Sequence, residues 1–231
     1  YLGIPLERYE NAKPTNLKNE LNIPLSNKLI ACIGRFQPIK GQLKLVEALN
    51  SLIQGGANVT CLLVGGCVFG AEEDKDYYNR VKKYVYDNEL ERNVIFLGER
   101  QDIPAILKEI DCLVIPSDNE SFGMIAVEAL AAGTPVLSTP NDGVSEILNY
   151  DKRFIAATND AVGLHLLINS YFKYKGISVL IIMYIIYCGF SFYYLSIYLN
   201  LIDASLIQTN LFMILNNIQS YRIIEILSLL I

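Results

Sequence analysis

The sequence has no tryptophan and only one histidine, His165, among its 231 residues. That histidine lies between Leu164 and Leu166 in a helical pattern, so it reads as a structural or surface residue, not as a general base. No Ser/His/Asp or Cys/His arrangement for nucleophilic catalysis is available. The cysteines, at positions 32, 61, 67, 112 and 188, include no C-x-x-C pair and have no histidine near them. Neither a zinc site nor a disulfide framework is indicated, and Cys32, Cys61 and Cys112 read as reduced core residues in apolar runs. Basic residues are also scarce. Lys and Arg number 19 against 24 Asp and Glu, a net charge of −5, which argues against a nucleic-acid-binding surface and leaves only local anion contacts. No G-x-G-x-x-G turn follows the first apolar run, which argues against a dinucleotide enzyme. A basic-then-apolar leader is absent and Tyr1 is not an initiator methionine, so the expectation is a fragment of a longer chain.

Charge itself disappears toward the end: from Ile177 to Ile231 only Asp203, Arg222 and Glu225 are charged. This divides the chain into residues 1–175, of ordinary soluble composition, and an apolar, helical tail over 176–231. In the first part short apolar runs alternate with amphipathic segments, the pattern of βα units. Strands are predicted at Leu29 to Gly34, Val59 to Gly65, Val94 to Gly98, Cys112 to Pro116, Pro135 to Thr139 and Arg153 to Ala157. Helices are predicted near Gln42 to Gln54, Asp76 to Asn88, Ile103 to Ile110, Phe122 to Ala132, Val144 to Leu148 and Ala161 to Phe172. The fold class is α/β, a Rossmann-like doubly wound parallel sheet, in which ligands bind at the C-terminal strand ends.

Two clusters fall at such ends. After the first strand comes Gly34-Arg35-Phe36-Gln37-Pro38-Ile39-Lys40-Gly41, whose guanidinium and ammonium can both reach one anion, a diphosphate for example. Two solvated surface cations is the competing reading. After the fourth strand comes Glu120-Ser121-Phe122-Gly123-Met124-Ile125-Ala126-Val127-Glu128. Free N–H groups at the start of the following helix suit a phosphate, Gly123 permits close approach, and Glu128 is expected about two turns into the helix. Alternatively Glu120 only favours the helix start and Glu128 points to solvent.

Pro116 to Gly123, continuing through Glu128 to Val136 and Glu146, resembles the signature of the large family of retaining glycosyltransferases with the GT-B fold, group 1 or family 4. Its E-x7-E motif is matched by Glu120 and Glu128, and its GR...KG loop by Arg35, Lys40 and Gly41, roughly 80 residues earlier. Gly3-Ile4-Pro5-Leu6-Glu7-Arg8-Tyr9 is similar to the segment entering the C-terminal domain of such enzymes, so the resemblance covers about residues 1 to 172 and implies the donor-binding half. It implies that Arg35 and Lys40 contact the donor diphosphate as it leaves, that Glu128 binds the ribose hydroxyls and that Glu120 lies against the transferred sugar. It also implies that Gly41 and the backbone of Ser121, Phe122 and Gly123 line the pocket, with Gly98 to Ile103, including Arg100, beside the base. Arg35, Lys40 and Glu120 would be the catalytic residues. The implied donor is a nucleoside diphosphate-sugar, with no metal and no other cofactor. The acceptor, a glycan or lipid-linked glycoconjugate, would be selected by an N-terminal domain that this chain lacks, leaving the chain inactive alone. The resemblance departs at Asn141-Asp142-Gly143, where two glycines are common, and in a long loop from Gly65 to Asp76. That loop carries Asp74-Lys75-Asp76, a D-x-D pattern read here as an acidic surface run.

Gly176 to Ile202 is 27 residues without a charge, long enough to span a bilayer. Lys173 and Lys175 before it would hold the preceding domain in the cytoplasm, at the cytoplasmic face of a membrane. The other reading of the tail is sequence foreign to the fold, since its Ile, Tyr, Asn, Leu and Phe bias resembles translated AT-rich sequence. A non-catalytic nucleotide-binding or membrane-associated interaction module remains the alternative function.

Overall fold

Five of the six expected strands form one sheet in a computed structural model that describes residues 3–67, 72–149 and 151–173. They are β1 (Lys28–Ile33), β2 (Val59–Val64), β3 (Val94–Gly98), β4 (Cys112–Ile115) and β5 (Val136–Ser138). All pairings are parallel, in the order β3-β2-β1-β4-β5. The helices are α1 (Leu6–Glu10), α2 (Leu17–Glu20), α3 (Gln42–Gln54), α4 (Glu72–Asp87), α5 (Ile103–Glu109), α6 (Met124–Ala131) and α7 (Asp142–Ile147), with α8 over residues 161–173. Residues 1–172 gather into one compact unit. The expectations placed on the apolar tail, a membrane anchor above all, lie outside the described residues. Among the described residues no helix is long and apolar enough to cross a membrane.

The sixth expected strand, Arg153 to Ala157, is not one. Lys152–Phe154 winds into a 3-10 turn because Asp151 accepts hydrogen bonds from the Arg153 amide at 3.0 Å and from its guanidinium. The apolar residues that follow make only an isolated bridge, Ile155 beside Ser138, with the Ala156 amide donating to the Ser138 carbonyl at 2.8 Å. Local capping has taken the backbone groups a longer ladder would need. Three helix starts also move. Helix α4 starts at Glu72 and not Asp76, with Glu72, Glu73 and Asp74 in its positive first turn. Helix α6 starts at Met124 and not Phe122, and α7 at Asp142 and not Val144, where Asn141 caps it.

Both faces of the sheet are covered, which is why the strands read as continuous apolar runs. Period-two alternation sorts them: Ile30, Cys32, Cys61, Leu63, Cys112 and Val114 enter the core under α3 and α4. Leu29, Ala31, Leu62, Val64, Leu113 and Ile115 enter the core on the other face, with residues of α5 and α6. Full burial of a leucine such as Leu29, Leu62 or Leu113 contributes about 2 kcal/mol. Burial pushes the Cys32 thiol up to about 12, and Cys61 is also raised by burial and by its neighbours Cys32 and Cys112. Both stay as inert thiols.

The order of the strands sets where a ligand belongs. From β1 the chain moves outward to β2 and β3, and later returns to place β4 and β5 on the other side. The loops leaving β1 and β4 therefore diverge from adjacent strands, and the crevice between them is the switch point of the sheet.

Candidate functional site

The loop after β1 is held at several backbone points. The Gly34 amide donates to the Val64 carbonyl and the Phe36 amide to the Gly66 carbonyl, at 2.9 and 3.0 Å. The Phe36 side chain is buried and packs on Tyr78 and Phe96, with ring centroids 4.7 and 5.9 Å away. Arg35, between two such anchors, is exposed, and among the described residues its side chain forms no ion pair. A 3-10 turn, Pro38–Lys40, then leads through Gly41 into α3. Gly41 has φ +70, and a Cβ there would lie under 3.0 Å from the Pro116 carbonyl. Only glycine permits both the left-handed backbone and this approach of the two switch-point loops.

The loop after β4 is tied to the first. The Asp118 amide donates to the Ile39 carbonyl at 2.8 Å, and the Lys44 ammonium donates to the Pro116 carbonyl at 3.2 Å while pairing with Asp118. Gly123, against Val144 of α7, stands in the N-cap position of α6 without a side-chain cap bond. Among the described residues no group accepts a hydrogen bond from the amides of Phe122, Gly123, Met124 or Ile125. Among the described residues these four donors, at the positive end of the helix dipole, are left without an acceptor.

Lys40 and Glu120 meet across the crevice. The ammonium lies 2.7 Å from Glu120 Oε1, with the side chains 25% and 12% exposed. The Ser117 hydroxyl donates to the same oxygen at 2.8 Å. Two loops 80 residues apart in sequence thus place a cation, a carboxylate and open amides at one strand edge. The arrangement can hold an anion beside Lys40 and a hydroxyl-bearing group beside Glu120.

Other expected site residues are placed differently. Glu128 is the fifth residue of α6, little more than one turn in, so the expectation of two turns is corrected by the later helix start. Burial raises its carboxyl above the ordinary value, partly offset by a hydrogen bond from Tyr9 and by Arg8. Helix α1 thus supports it from the side. Arg100 is engaged by a bidentate pair with Asp102, at 2.8 and 2.7 Å, and by Glu20 at 3.5 Å. Asp102 holds it firmly in the charged state and is itself lowered by it. In the D-x-D pattern Asp74 is buried, not on the surface, and accepts from Gln37 Nε2 at 3.2 Å. Starting α4 four residues early turned this residue inward. Among the described residues no group of three or more His, Cys, Asp and Glu could hold a metal ion. His165 is half-buried, and its Nδ1 has no partner among the described residues.

Some of the site escaped sequence reasoning. Ser117, three residues before Glu120, carried a spacing signal in the turn. Gly143 did not: its amide donates to the Glu120 carbonyl at 3.1 Å, a contact only the folded chain creates. Asn141, at the departure from the two-glycine pattern, caps α7 by accepting from the Val144 amide at 3.0 Å.

A parallel sheet with cations, a carboxylate and open helix amides at its switch point defines an α/β Rossmann-like unit. The family model "Glycosyl transferases group 1" matches residues 14–180, and the chain belongs to that family, as the C-terminal-like part of its GT-B fold. It is 34% identical over 131 residues to the D-inositol 3-phosphate glycosyltransferase of Corynebacterium glutamicum, a match covering 55% of this chain and 30% of that protein. Over 151 residues it is 27% identical to the N-acetyl-alpha-D-glucosaminyl L-malate synthase of Bacillus anthracis, covering 65% of this chain and 37% of that protein. Among solved structures it is similar to HepE of Anabaena in complex with UDP-glucose, with TM-score 0.67 and 28% identity. That superposition covers 76% of this chain and 48% of the HepE chain. The chain thus spans less than half the length of these three relatives.

Proposed function

We propose that this chain is the donor-binding part of a retaining glycosyltransferase and takes a nucleoside diphosphate-sugar at the β1/β4 switch point. The observation that carries the reading is the Lys40–Glu120 pair beside the unpartnered amides that open α6. Arg35, Lys40 and the amides of Phe122 to Met124 hold the diphosphate and stabilise its charge as the glycosyl bond breaks. Glu120, already polarised by Lys40 and Ser117, accepts from sugar hydroxyls, and Glu128 accepts from the ribose. Lys40 is ordered by its carboxylate partner before the donor arrives, which lowers the entropic cost of binding. UDP-sugars are the first donors to test because a UDP-glucose complex is known for HepE. The acceptor is a glycan or lipid-linked molecule brought by an N-terminal domain, on the cytoplasmic side of the cell, and no metal takes part.

Calorimetry with UDP-, GDP- and ADP-sugars tests this directly: micromolar to millimolar binding of one class is expected, and no binding of any would overturn the reading. Glu128→Ala should weaken that binding about tenfold, the cost of one charged hydrogen bond, and unchanged affinity would remove Glu128 from the site. Its raised carboxyl has a second consequence. The folded chain keeps this proton to higher pH than the unfolded chain, so stability falls as pH rises from the ordinary value of 4.5 through the raised one. Glu128→Gln should flatten that part of the stability profile in thermal melts between about pH 4 and 7. A profile identical to the parent's would show that Glu128 does not cause it.

A further inference from the structure

Gln42 is a buried polar side chain behind the loop that carries Arg35 and Lys40. It is 1% exposed at the first position of α3, and its Nε2 donates to the Arg35 carbonyl at 2.8 Å. That carbonyl and the Phe36 amide belong to the same peptide unit. The amide is held from the opposite side by the Gly66 carbonyl at 3.0 Å. With both polar groups bonded and the Phe36 ring packed beneath, the plane of this peptide is fixed, and with it the direction in which Arg35 leaves the chain. The same Gln42 follows Lys40 by two residues across Gly41, whose backbone is locked against Pro116. Its side chain therefore reaches back across the loop that carries both cations.

Stability does not account for the amide. Gln42 Oε1 is buried without a hydrogen-bond partner among the described residues, and an orphaned acceptor offsets what the Nε2 bond supplies. An apolar side chain of equal length removes the orphan together with the Nε2 bond, so the two effects on stability oppose each other. We infer that Gln42 is a positioning residue for the donor diphosphate, acting through Arg35 by fixing the Arg35–Phe36 peptide; this rests on the donor-site reading above.

The test is a double-mutant cycle in the full chain, using whichever of UDP, GDP and ADP the unaltered chain binds most tightly. Gln42→Met should lower affinity about fivefold, the worth of one hydrogen bond, and leave the melting temperature nearly unchanged. Arg35→Ala should lower affinity about tenfold, and the two changes together should cost no more than Arg35→Ala alone. Multiplying losses, or full affinity in Gln42→Met, would overturn the positioning role while leaving the donor site intact. Full affinity in Arg35→Ala would overturn it too, by removing the group through which Gln42 acts. If the unaltered chain binds none of the three diphosphates, the donor-site reading fails and this inference with it. Should Met not fit, Gln42→Leu runs the same cycle.

Discussion

Lys40→Ala should lower the affinity for the nucleoside diphosphate about fiftyfold, within the range for a lost charge-assisted contact. It should also destabilise the chain by about 1–3 kcal/mol. The two effects have separate origins. Glu120 is 12% exposed and would lose the ammonium 2.7 Å away, keeping among the described residues the Ser117 hydroxyl, and a largely buried carboxylate without its partner is costly. Affinity falls for a different reason, because on the proposed reading the Lys40 ammonium contacts the diphosphate directly. Adding Glu120→Gln to Lys40→Ala separates them: the neutral amide needs no counter-charge, so the melting temperature should recover, while affinity should stay low. Recovery of both, measured by melting and calorimetry, would mean that Lys40 serves only to neutralise Glu120.

Gly143→Ala should be nearly as damaging although it changes no charge. A Cβ at Gly143 would lie under 3.0 Å from the Glu120 carbonyl and 2.9 Å from the Phe122 nitrogen. Those atoms belong to the stretch that carries Glu120 and the first open amides of α6. Relief requires α7 and this loop to part, breaking the Gly143–Glu120 backbone bond of 3.1 Å. Overpacking of this kind costs about 1–3 kcal/mol, a fall of about 5 °C in melting temperature for a chain of this size. Displacing Glu120 and the amides should reduce diphosphate affinity more than tenfold. An alanine variant with parental melting and affinity would show that the loop accommodates the methyl group, and that α7 does not brace the site.

The sequence determined the elements whose signals are local. Apolar runs gave five strands, because a strand covered on both faces needs apolar residues throughout. The E-x7-E and GR...KG motifs announced the family, since each keeps its spacing within one loop and helix. Where local signals conflicted, sequence reading failed. The apolar run after Arg153 looked like a strand, but the Asp151 side chain competes for its backbone. Asp74 looked solvent-facing until α4 was seen to begin at Glu72, which turns it toward Gln37.

Only the tertiary structure decided what meets what. That β1 and β4 are neighbours follows from sheet pairing over many residues, which no short spacing encodes. From this adjacency follow the Lys40–Glu120 pair, the locking of Gly41 on Pro116 and the bracing of Glu120 by Gly143. The sequence by itself determined which charged groups and glycines stand at the strand ends. The fold decided which of them share one crevice, because contact across a sheet depends on strand order and not on distance along the chain.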